Sequence, residues 1–422
     1  MHHQPQRGLF YGWIVVTAAL IIIAIGVGLM FSLSVFMEPL EQAFGWSREQ
    51  IARANLYGWV VFGVCSFAFG TLSDRFGTRW IVLCGGLLFG CGLLALSHMQ
   101  TLWQLYLFHG GLIGGSIGTF MVPLTATVTR WFTHRRGLAV ALVNCGTGLG
   151  GMLFAPLTRY LLTASDWRTA FVVYGLLAWV VVIPLALLIR NSPHEVGLKP
   201  YQGKPLALSE AGSTLVLPYT FRQVLATPAF WIIAGVHTLC CAAHSGPIFH
   251  MISAVIDQGI DKLAAATVFS LASLASIFGR LGTGFLADRF GSKQVLATWM
   301  GMQATAILLY LAVSGLPGFA MLALFFGVSY GGVMPLYAVV TREFFGARAM
   351  GTSYGAIFLL SCFGMGFGGW LGGRIFDAVG MYTLMYVLSF VFSASGAVLA
   401  ICLRPPRHRW APIMNPQTVS AS

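Results

Sequence analysis

The chain is 422 residues long, and 57% of its residues are hydrophobic while only 9% are charged. A soluble domain carries about 25% charged residues, so this composition excludes a set of soluble domains and makes lipid the solvent for most of the chain. The net charge of +12 is spread over short gaps between apolar runs and forms no single basic patch, which excludes a nucleic-acid-binding protein.

Twelve apolar runs are long enough to cross a bilayer, which requires about 20 residues. They begin near residues 12, 52, 80, 103, 137, 169, 228, 264, 294, 316, 350 and 380. The first run is too long for a signal peptide and lacks a small-residue cleavage site, so we expect a retained span. The longest polar gap, about 191–222, contains four prolines and divides the spans into six and six. We therefore predict an N-terminal bundle over 1–190, a cytoplasmic linker over 191–225, a C-terminal bundle over 226–404 and a cytoplasmic tail over 405–422.

The basic residues are distributed unequally between the two faces of this membrane arrangement. Seventeen Lys and Arg residues lie on the face that holds both termini and six on the other, with Arg280 left inside a span. Basic residues accumulate on the cytoplasmic side of membrane proteins. We therefore predict a multi-pass protein of the inner (plasma) membrane, embedded in the lipid bilayer as a monomer, with both termini cytoplasmic.

Two loop motifs recur in both halves of the chain. GTLSDRFG at Gly70–Gly77 recurs as GFLADRFG at Gly284–Gly291, 214 residues later, and TRWF at 129–132 recurs as TREF at 341–344, 212 residues later. Charged motifs in register at two places indicate a duplication. Duplicated six-helix halves are typical of secondary transporters, which bind substrate near the midplane between the halves. The sequence thus predicts an all-α polytopic membrane protein with twelve transmembrane helices in two pseudo-symmetric six-helix bundles.

The repeated loop resembles the signature of the major facilitator superfamily, Gly-x-Leu-x-Asp-Arg-Phe-Gly-x-Arg/Lys, at Gly70–Arg79 and again at Gly284–Lys293. The resemblance covers the whole chain and implies the major facilitator fold. It also implies a cytoplasmic gate that latches the halves together in the outward-open state, because charged helix ends that face each other attract. The gate residues are Asp74, Arg75, Asp288, Arg289, Arg135 and Arg136. The alternative is that Asp74 and Asp288 only provide polar, solvent-exposed side chains for their loops.

A finer resemblance lies between spans 4 and 5. Residues 131–146, WFTHRRGLAVALVNCG, are similar to a motif of monocarboxylate transporters. YGW at 11–13 and FGWSR at 44–48 look like the bacterial branch shared with oxalate:formate antiporters. These motifs identify the family better than they identify the substrate.

Arg280 is the main candidate for a substrate-binding residue. It lies eight residues before Asp288, which is about 12 Å inside its helix and near the middle of a membrane core about 30 Å thick. A buried arginine must face the bundle interior or a wet cavity, and its planar fork suits a carboxylate. No Asp or Glu lies in the middle of any span, so a substrate anion is its natural partner. In the family resembled, an arginine at this place binds the substrate carboxylate.

Charge counting separates the possible substrates. Oxalate:formate antiporters carry a second cation, a lysine on span 11, whereas residues 351–364 contain neither Lys nor Arg. One buried cation neutralises one carboxylate, so a small monocarboxylate such as lactate or pyruvate fits better than a dianion. An anion exchanger of the oxalate:formate type, or a carrier of another organic acid, remains the alternative.

Proton coupling needs a titratable group inside the membrane. Animal monocarboxylate transporters have an aspartate one turn before the arginine, where this chain has Ser276, and a lysine on span 1, which this chain lacks. The remaining candidates are His109, His237, His244, His250 and Asp257. Histidine titrates near neutral pH, and we select His250 because it follows a kink predicted at Gly246-Pro247. His244 and Asp257 are the further choices, and a packing role is the alternative for each histidine.

Other polar groups within the spans are candidates for the substrate cavity. They are Asn144, Tyr330, Tyr354 and Ser361, and the alternative for each is a hydrogen bond between helices. The glycines at 146, 148, 150 and 151 predict close helix packing.

Three classes of function are weighed. An intramembrane enzyme would need a metal cluster, an acid pair or an activated nucleophile, and the sequence shows none of their motifs. Most of the eight cysteines lie in apolar runs, so we expect neither a metal site nor a cofactor. The sequence therefore predicts a secondary carrier of a small monocarboxylate that uses proton symport and alternating access, with anion exchange as the alternative.

Overall fold

The computed structural model describes residues 10–132, 136–201 and 219–406, and the side chains of Asp74, Arg136 and residues 347–350 lie outside this description. Within these ranges the chain forms twelve long helical segments. They are α1 Tyr11–Phe44, α2 Arg48–Phe76, α3 Thr78–Ser97, α4 Leu102–Trp131, α5 Arg136–Ala164, α6 Trp167–Leu188, α7 Pro228–Ile256, α8 Lys262–Phe290, α9 Ser292–Leu309, α10 Gly315–Gly346, α11 Gly351–Val379 and α12 Thr383–Cys402. All except α9, which carries several polar residues, are long and apolar enough to cross a membrane. The predicted all-α polytopic fold is confirmed.

We call α1–α6 the N-half and α7–α12 the C-half. The end of the bundle where α1 begins and α12 ends is the terminal end, and the other is the distal end. Polar side chains fix where helices start at the distal end. Ser47 accepts a hydrogen bond from the Gln50 amide at 3.3 Å, and Asp261 accepts from the amides of Leu263 and Ala264. These caps satisfy amides that have no partner inside α2 and α8.

The repeated loops have the same backbone conformation. Gly77 after α2 has φ 86° and ψ 138°, and Gly291 after α8 has φ 85° and ψ 137°. A positive φ of this size favours glycine, which explains its place in both motifs. Arg75 and Arg289 each lie over the ring of the following phenylalanine, with 5.4 Å between guanidinium carbon and ring centroid. The geometry agrees with the duplication read from the sequence.

Glycines allow the two halves to approach closely. A Cβ atom added at Gly148 of α5 would lie 2.7 Å from Ile277 Cγ1 of α8, and one at Gly63 of α2 would lie 2.9 Å from Cys362 Cβ of α11. Gly150 instead faces α1, where an added Cβ would lie 2.2 Å from the Ala24 carbonyl oxygen. The glycine series of α5 therefore packs against both the N-half and the C-half, and the predicted close helix packing is observed.

The segment between the halves contains two short helical turns, Pro193–Val196 and Phe221–Leu225. Between them the Tyr201 amide donates to the Trp131 carbonyl oxygen at 2.9 Å. The Trp13 ring lies 4.8 Å from that of Phe132, so the motif at 11–13 meets the motif at 131–146 here. Residues 202–218 of the predicted linker and 407–422 of the predicted tail lie outside the described residues. The division into two bundles, a linker and a tail stays a prediction.

Candidate functional site

Arg280 lies on α8 with only 8% of its surface exposed. Its Nη1 donates a hydrogen bond to the Ser276 hydroxyl, and its guanidinium carbon lies 5.7 Å from the centroid of the Tyr330 ring. It forms no ion pair with a carboxylate of the described residues, and its other guanidinium nitrogens have no hydrogen-bond partner there. No carboxylate of the described residues therefore neutralises this buried positive charge.

The helix that carries Arg280 is held against α10. A Cβ atom added at Gly327 would lie 2.2 Å from the Ala272 carbonyl oxygen, and one at Gly331 would lie 2.3 Å from that of Ser276. The Thr283 hydroxyl also donates to the Gly332 carbonyl oxygen at 2.7 Å. This close approach brings Tyr330 of α10 beside Arg280.

The stack of His244 and Tyr330 extends this site to α7. The two rings are stacked with centroids 5.5 Å apart, and both side chains are buried. His244 Nδ1 lies 3.7 Å from the Cys240 sulfur, which in turn donates to Gln303 Oε1 at 3.6 Å. The structure thus brings three predicted site residues together, namely Arg280, Tyr330 and His244.

His250 and Asp257 belong to a different cluster, at the distal end. His250 Nε2 donates to the Gly369 carbonyl oxygen at 2.8 Å, and its Nδ1 lies 3.1 Å from the Tyr382 hydroxyl oxygen. That hydroxyl accepts from Arg48 Nη1 at 2.8 Å, and the Arg48 fork also binds both Asp257 oxygens. Within the described residues, neither His250 nor Asp257 has a hydrogen bond, ion pair or ring contact with Arg280.

Three further cavity candidates contact residues of their own helices. Asn144 Nδ2 donates to the Val140 carbonyl oxygen at 2.9 Å, and the Ser361 hydroxyl donates to that of Phe358 at 2.7 Å. The Tyr354 ring lies 6.2 Å from the Phe358 ring on the same helix. A role in substrate binding stays a prediction for each. Among the described residues, no group of three His, Cys, Asp or Glu side chains could hold a metal ion.

The predicted cytoplasmic gate lies at the terminal end. Arg75, Asp288 and Arg289 are exposed there, and none of the three forms an ion pair with another described residue. The side chains of Asp74 and Arg136 and the whole of Arg135 lie outside the described residues. The latch between the halves stays a prediction.

A set of ion pairs at the distal end was missed by the sequence analysis. Lys262 of the C-half binds Glu38 of the N-half at 2.5 Å, and Arg159 lies 3.5 Å from the same carboxylate. The Glu49 amide of the N-half donates to Asp377 of the C-half at 2.9 Å. The one feature of the sequence that indicates these ion pairs is the presence of acidic residues near the ends of spans at this face.

Comparisons with known proteins agree with this architecture. The family model described as Major Facilitator Superfamily matches residues 16–369. Monocarboxylate transporter 13 of Bos taurus is 29% identical over 411 residues, which cover 94% of this chain and 90% of that protein. The oxalate:formate antiporter of Oxalobacter formigenes is 24% identical over 412 residues, covering 95% and 94%.

A solved structure has a similar fold. The bacterial homologue of the human lysosomal transporter Spinster, in an inward-facing and occupied conformation, superposes with a TM-score of 0.71. The match covers 96% of this chain and all of that one, at 15% sequence identity. At this identity the likeness shows the fold alone.

Proposed function

This chain belongs to the major facilitator superfamily, and we propose that it carries a small monocarboxylate such as lactate or pyruvate across the membrane together with a proton. The family and the relatives named as transporters make it a multi-pass membrane transporter and not an enzyme. Relatives named as monocarboxylate transporters and as an oxalate:formate antiporter support an organic anion as its substrate class.

The observation that carries the proposal is the buried charge of Arg280, which no carboxylate of the described residues neutralises. A buried arginine is costly unless an anion or a set of hydrogen bonds satisfies its fork. Among the described residues only the Ser276 hydroxyl accepts from it. A substrate carboxylate would supply the missing charge through two parallel hydrogen bonds. Tyr330 and His244 would then line the site beside it.

The number of cations supports a monocarboxylate. The described part of α11 contains one basic residue, Arg374, which is exposed near the distal end of the helix. Arg280 would therefore meet one carboxylate of a substrate, and a second carboxylate would have to be buried without a partner. The desolvation of an unpaired charge is strongly unfavourable. Asn144, Tyr354 and Ser361 would offer hydrogen bonds to the rest of the substrate.

The membrane potential favours uptake of the anion together with a proton. Moving one negative charge alone into an inside-negative compartment costs about 2.3 kcal/mol per 100 mV. One proton moved with each monocarboxylate makes the net charge transfer zero. We take His250, His244 and Asp257 as the candidate proton carriers. We propose that the protein is a monomer of the inner membrane with both termini cytoplasmic. Alternating access would expose the site to each side of the membrane in turn.

The test is uptake of labelled L-lactate into proteoliposomes, with and without an inward proton gradient. Uptake by the native protein should rise with the gradient and fall at least about tenfold in Arg280→Ala, because a charge-assisted contact with the substrate is lost. Arg374→Ala, which removes an exposed arginine, is the matched control and should leave uptake unchanged. Native-like uptake by Arg280→Ala would refute the proposed site.

Anion exchange is the second candidate, and the same arginine favours it. An empty carrier in which Arg280 lacks a carboxylate partner must reorient with a buried net charge, which is slow compared with reorientation of the loaded carrier. Preloading the vesicles with unlabelled substrate would then accelerate uptake of labelled substrate without any proton gradient. Acceleration by preloading combined with no response to the gradient would replace symport by exchange.

A further inference from the structure

We infer that His244 is a specificity-determining residue of the carrier, whose Nε2 accepts a hydrogen bond from the hydroxyl group of a 2-hydroxy monocarboxylate bound at Arg280. The inference rests on the proposed function, because it assigns a further contact to the same site. His244 lies on α7 and is 2% exposed. Its ring stacks on Tyr330 with centroids 5.5 Å apart, and the Arg280 guanidinium carbon lies 5.7 Å from the centroid of that same ring. A substrate held by Arg280 beside Tyr330 would therefore lie next to His244.

A chain of hydrogen bonds across α7, α9 and α12 determines which ring nitrogen of His244 carries the proton. The chain begins at Ser393, whose hydroxyl donates to the Met300 carbonyl oxygen at 3.0 Å. The Ser393 oxygen therefore accepts from Gln303 Nε2 at 3.2 Å, and the same Nε2 donates to the Cys240 carbonyl oxygen at 3.4 Å. These two bonds orient the Gln303 amide so that its Oε1 faces the Cys240 thiol.

The Cys240 thiol connects this chain to the histidine. It donates its one proton to Gln303 Oε1 at 3.6 Å. The sulfur can therefore only accept from His244 Nδ1, which lies 3.7 Å away. In a neutral imidazole one nitrogen is a donor and the other is an acceptor. Nδ1 therefore carries the proton of the neutral ring, and Nε2 is an acceptor.

The acceptor Nε2 of His244 is available to a ligand. It has no hydrogen-bond partner among the described residues. Nδ1 of His237, on the same helix, also lacks a partner there, but protein atoms enclose it completely. His244 Nε2 is not enclosed in this way and retains surface that a water molecule or a substrate can reach. Since buried polar groups are normally hydrogen-bonded, this acceptor requires a donor from the contents of the site.

The hydroxyl group distinguishes three acids that share a three-carbon skeleton. Lactate has an O–H group at its second carbon and can donate to Nε2. Pyruvate has a carbonyl oxygen there, which only accepts, and propionate has no oxygen there. Both would displace water from His244 and leave Nε2 without a donor. A site built to hydrogen-bond a hydroxyl group rejects analogues that lack one, so we expect a preference for 2-hydroxy acids among monocarboxylates.

The test measures how unlabelled L-lactate, pyruvate and propionate inhibit uptake of labelled L-lactate by the full-length protein in proteoliposomes. No uptake by the native protein, or undiminished uptake by Arg280→Ala, would refute the proposed function itself. Given Arg280-dependent uptake, the inhibition constant of L-lactate should be at least about fivefold lower than those of pyruvate and propionate. Equal constants for the three acids would overturn the inference and leave the proposed function intact.

His244→Phe tests the residue directly, because phenylalanine keeps an aromatic ring beside Tyr330 and removes the acceptor. The inhibition constant of L-lactate should rise at least about fivefold, whereas those of pyruvate and propionate should change by less than about twofold. His237→Phe is the matched control, since His237 is a buried histidine of the same helix whose ring stacks on Tyr337 with centroids 3.7 Å apart. It should keep the preference for L-lactate. An unchanged preference in His244→Phe, or an equal loss in both variants, would overturn the role of His244.

Cys240→Ala separates the position of the proton from the presence of the ring. It removes the sulfur that holds the proton on Nδ1, so the proton can move to Nε2 and be donated to the pyruvate carbonyl oxygen. The ratio of the pyruvate constant to the L-lactate constant should therefore fall at least about threefold. Cys241→Ala, a change at the neighbouring buried cysteine, is the control and should keep the native ratio. An unchanged ratio in Cys240→Ala would overturn the assignment of the proton to Nδ1, and this variant also decides the matter if His244→Phe does not fold.

Discussion

Arg48 of the N-half and Asp257 of the C-half form a bidentate ion pair at the distal end, with nitrogen–oxygen distances of 2.6 and 2.9 Å. Arg48 Nε also binds Glu41 at 3.0 Å, and its guanidinium carbon lies 3.9 Å from the centroid of the Phe376 ring. A planar fork that meets both oxygens of one carboxylate has a defined geometry as well as a favourable charge. The pair therefore joins the two halves at this end.

Breaking this pair should favour opening of the distal end. We expect Arg48→Ala to shift the conformational equilibrium at least about fivefold, since contacts of this kind couple states by 1–3 kcal/mol. Ser253 reports on the change because its hydroxyl donates to the Met37 sulfur across the halves, at 3.4 Å, and is buried. The measurement is the rate at which a membrane-impermeant maleimide labels Ser253→Cys after the eight native cysteines are replaced.

Arg168→Ala is the control for this experiment, because Arg168 donates only to the Ser97 and Met99 carbonyl oxygens within the N-half. Its labelling rate should equal that of the unmodified reporter. Asp257→Asn should resemble Arg48→Ala, since it removes the other charge of the same pair. An unchanged labelling rate in both variants would show that the pair does not hold this end closed.

His250, a proposed proton carrier, contacts the cluster that holds the distal ion pair. Because Tyr382 accepts from Arg48 and lies within hydrogen-bond distance of His250 Nδ1, its hydroxyl can donate to that nitrogen only while the nitrogen carries no proton. Protonation of Nδ1 would end that donation and add a second positive charge near Arg48, which would weaken the cluster. We expect His250→Gln to lose stimulation of uptake by the proton gradient and to keep counterflow.

His237→Gln is the comparison for this prediction. His237 is buried on the same helix, but its ring stacks on Tyr337 at 3.7 Å. It should keep the response to the gradient. Loss of the response in His237→Gln or His244→Gln, with the response retained in His250→Gln, would assign the proton to another histidine.

The helices and the repeated loops could be predicted from the sequence because they depend on local properties. Apolar runs of sufficient length give the helices, and the positive φ of each repeated loop favours glycine at 77 and 291. Arg280 could also be predicted, since the scarcity of charged residues in the spans makes one buried cation conspicuous. The contact of Arg280 with Ser276 could not be predicted, because a serine carries no signal of its own.

The distal cluster could not be predicted because it depends on how the two halves meet. Arg48 and Asp257 are 209 residues apart, and nothing local indicates that their helix ends face each other. The seven-residue spacing of His237 and His244 predicts that both lie on one face of α7, but it does not predict which residues of other helices contact that face. For that reason the sequence could not separate His244, which lies beside Tyr330, from His250, which joins the distal cluster.

Two glycines of α5 should respond differently to alanine. Gly150→Ala places a Cβ atom 2.2 Å from the Ala24 carbonyl oxygen inside the N-half, so it should lower the thermal unfolding temperature through overpacking of about 1–3 kcal/mol. Gly148→Ala meets α8 of the other half, at 2.9 Å from the Ser273 carbonyl oxygen. It should lower the initial rate of lactate uptake, and it should lower the thermal unfolding temperature less than Gly150→Ala does.

Thermal unfolding in detergent and initial uptake rates measure the two effects separately. Gly235→Ala is the control, because an added Cβ there meets no atom within 4 Å. Equal losses of stability in Gly148→Ala and Gly150→Ala would contradict the distinction between packing within a half and packing between halves.

Among the described residues, Arg280 is the one cation of the proposed substrate site, and this predicts the selectivity of the proposed carrier. A monocarboxylate would bring one negative charge to one guanidinium group, and its remaining atoms would meet the uncharged ring of Tyr330, which lies 5.7 Å from the guanidinium carbon. Oxalate or malonate would bury a second carboxylate without a cation, which costs more than any hydrogen bond from a neutral side chain returns. Unlabelled pyruvate should therefore inhibit labelled lactate uptake at least about tenfold more strongly than oxalate or malonate at equal concentration. Equal inhibition by mono- and dicarboxylates would require a second cation in the occupied site, and the counting argument from Arg280 would fail.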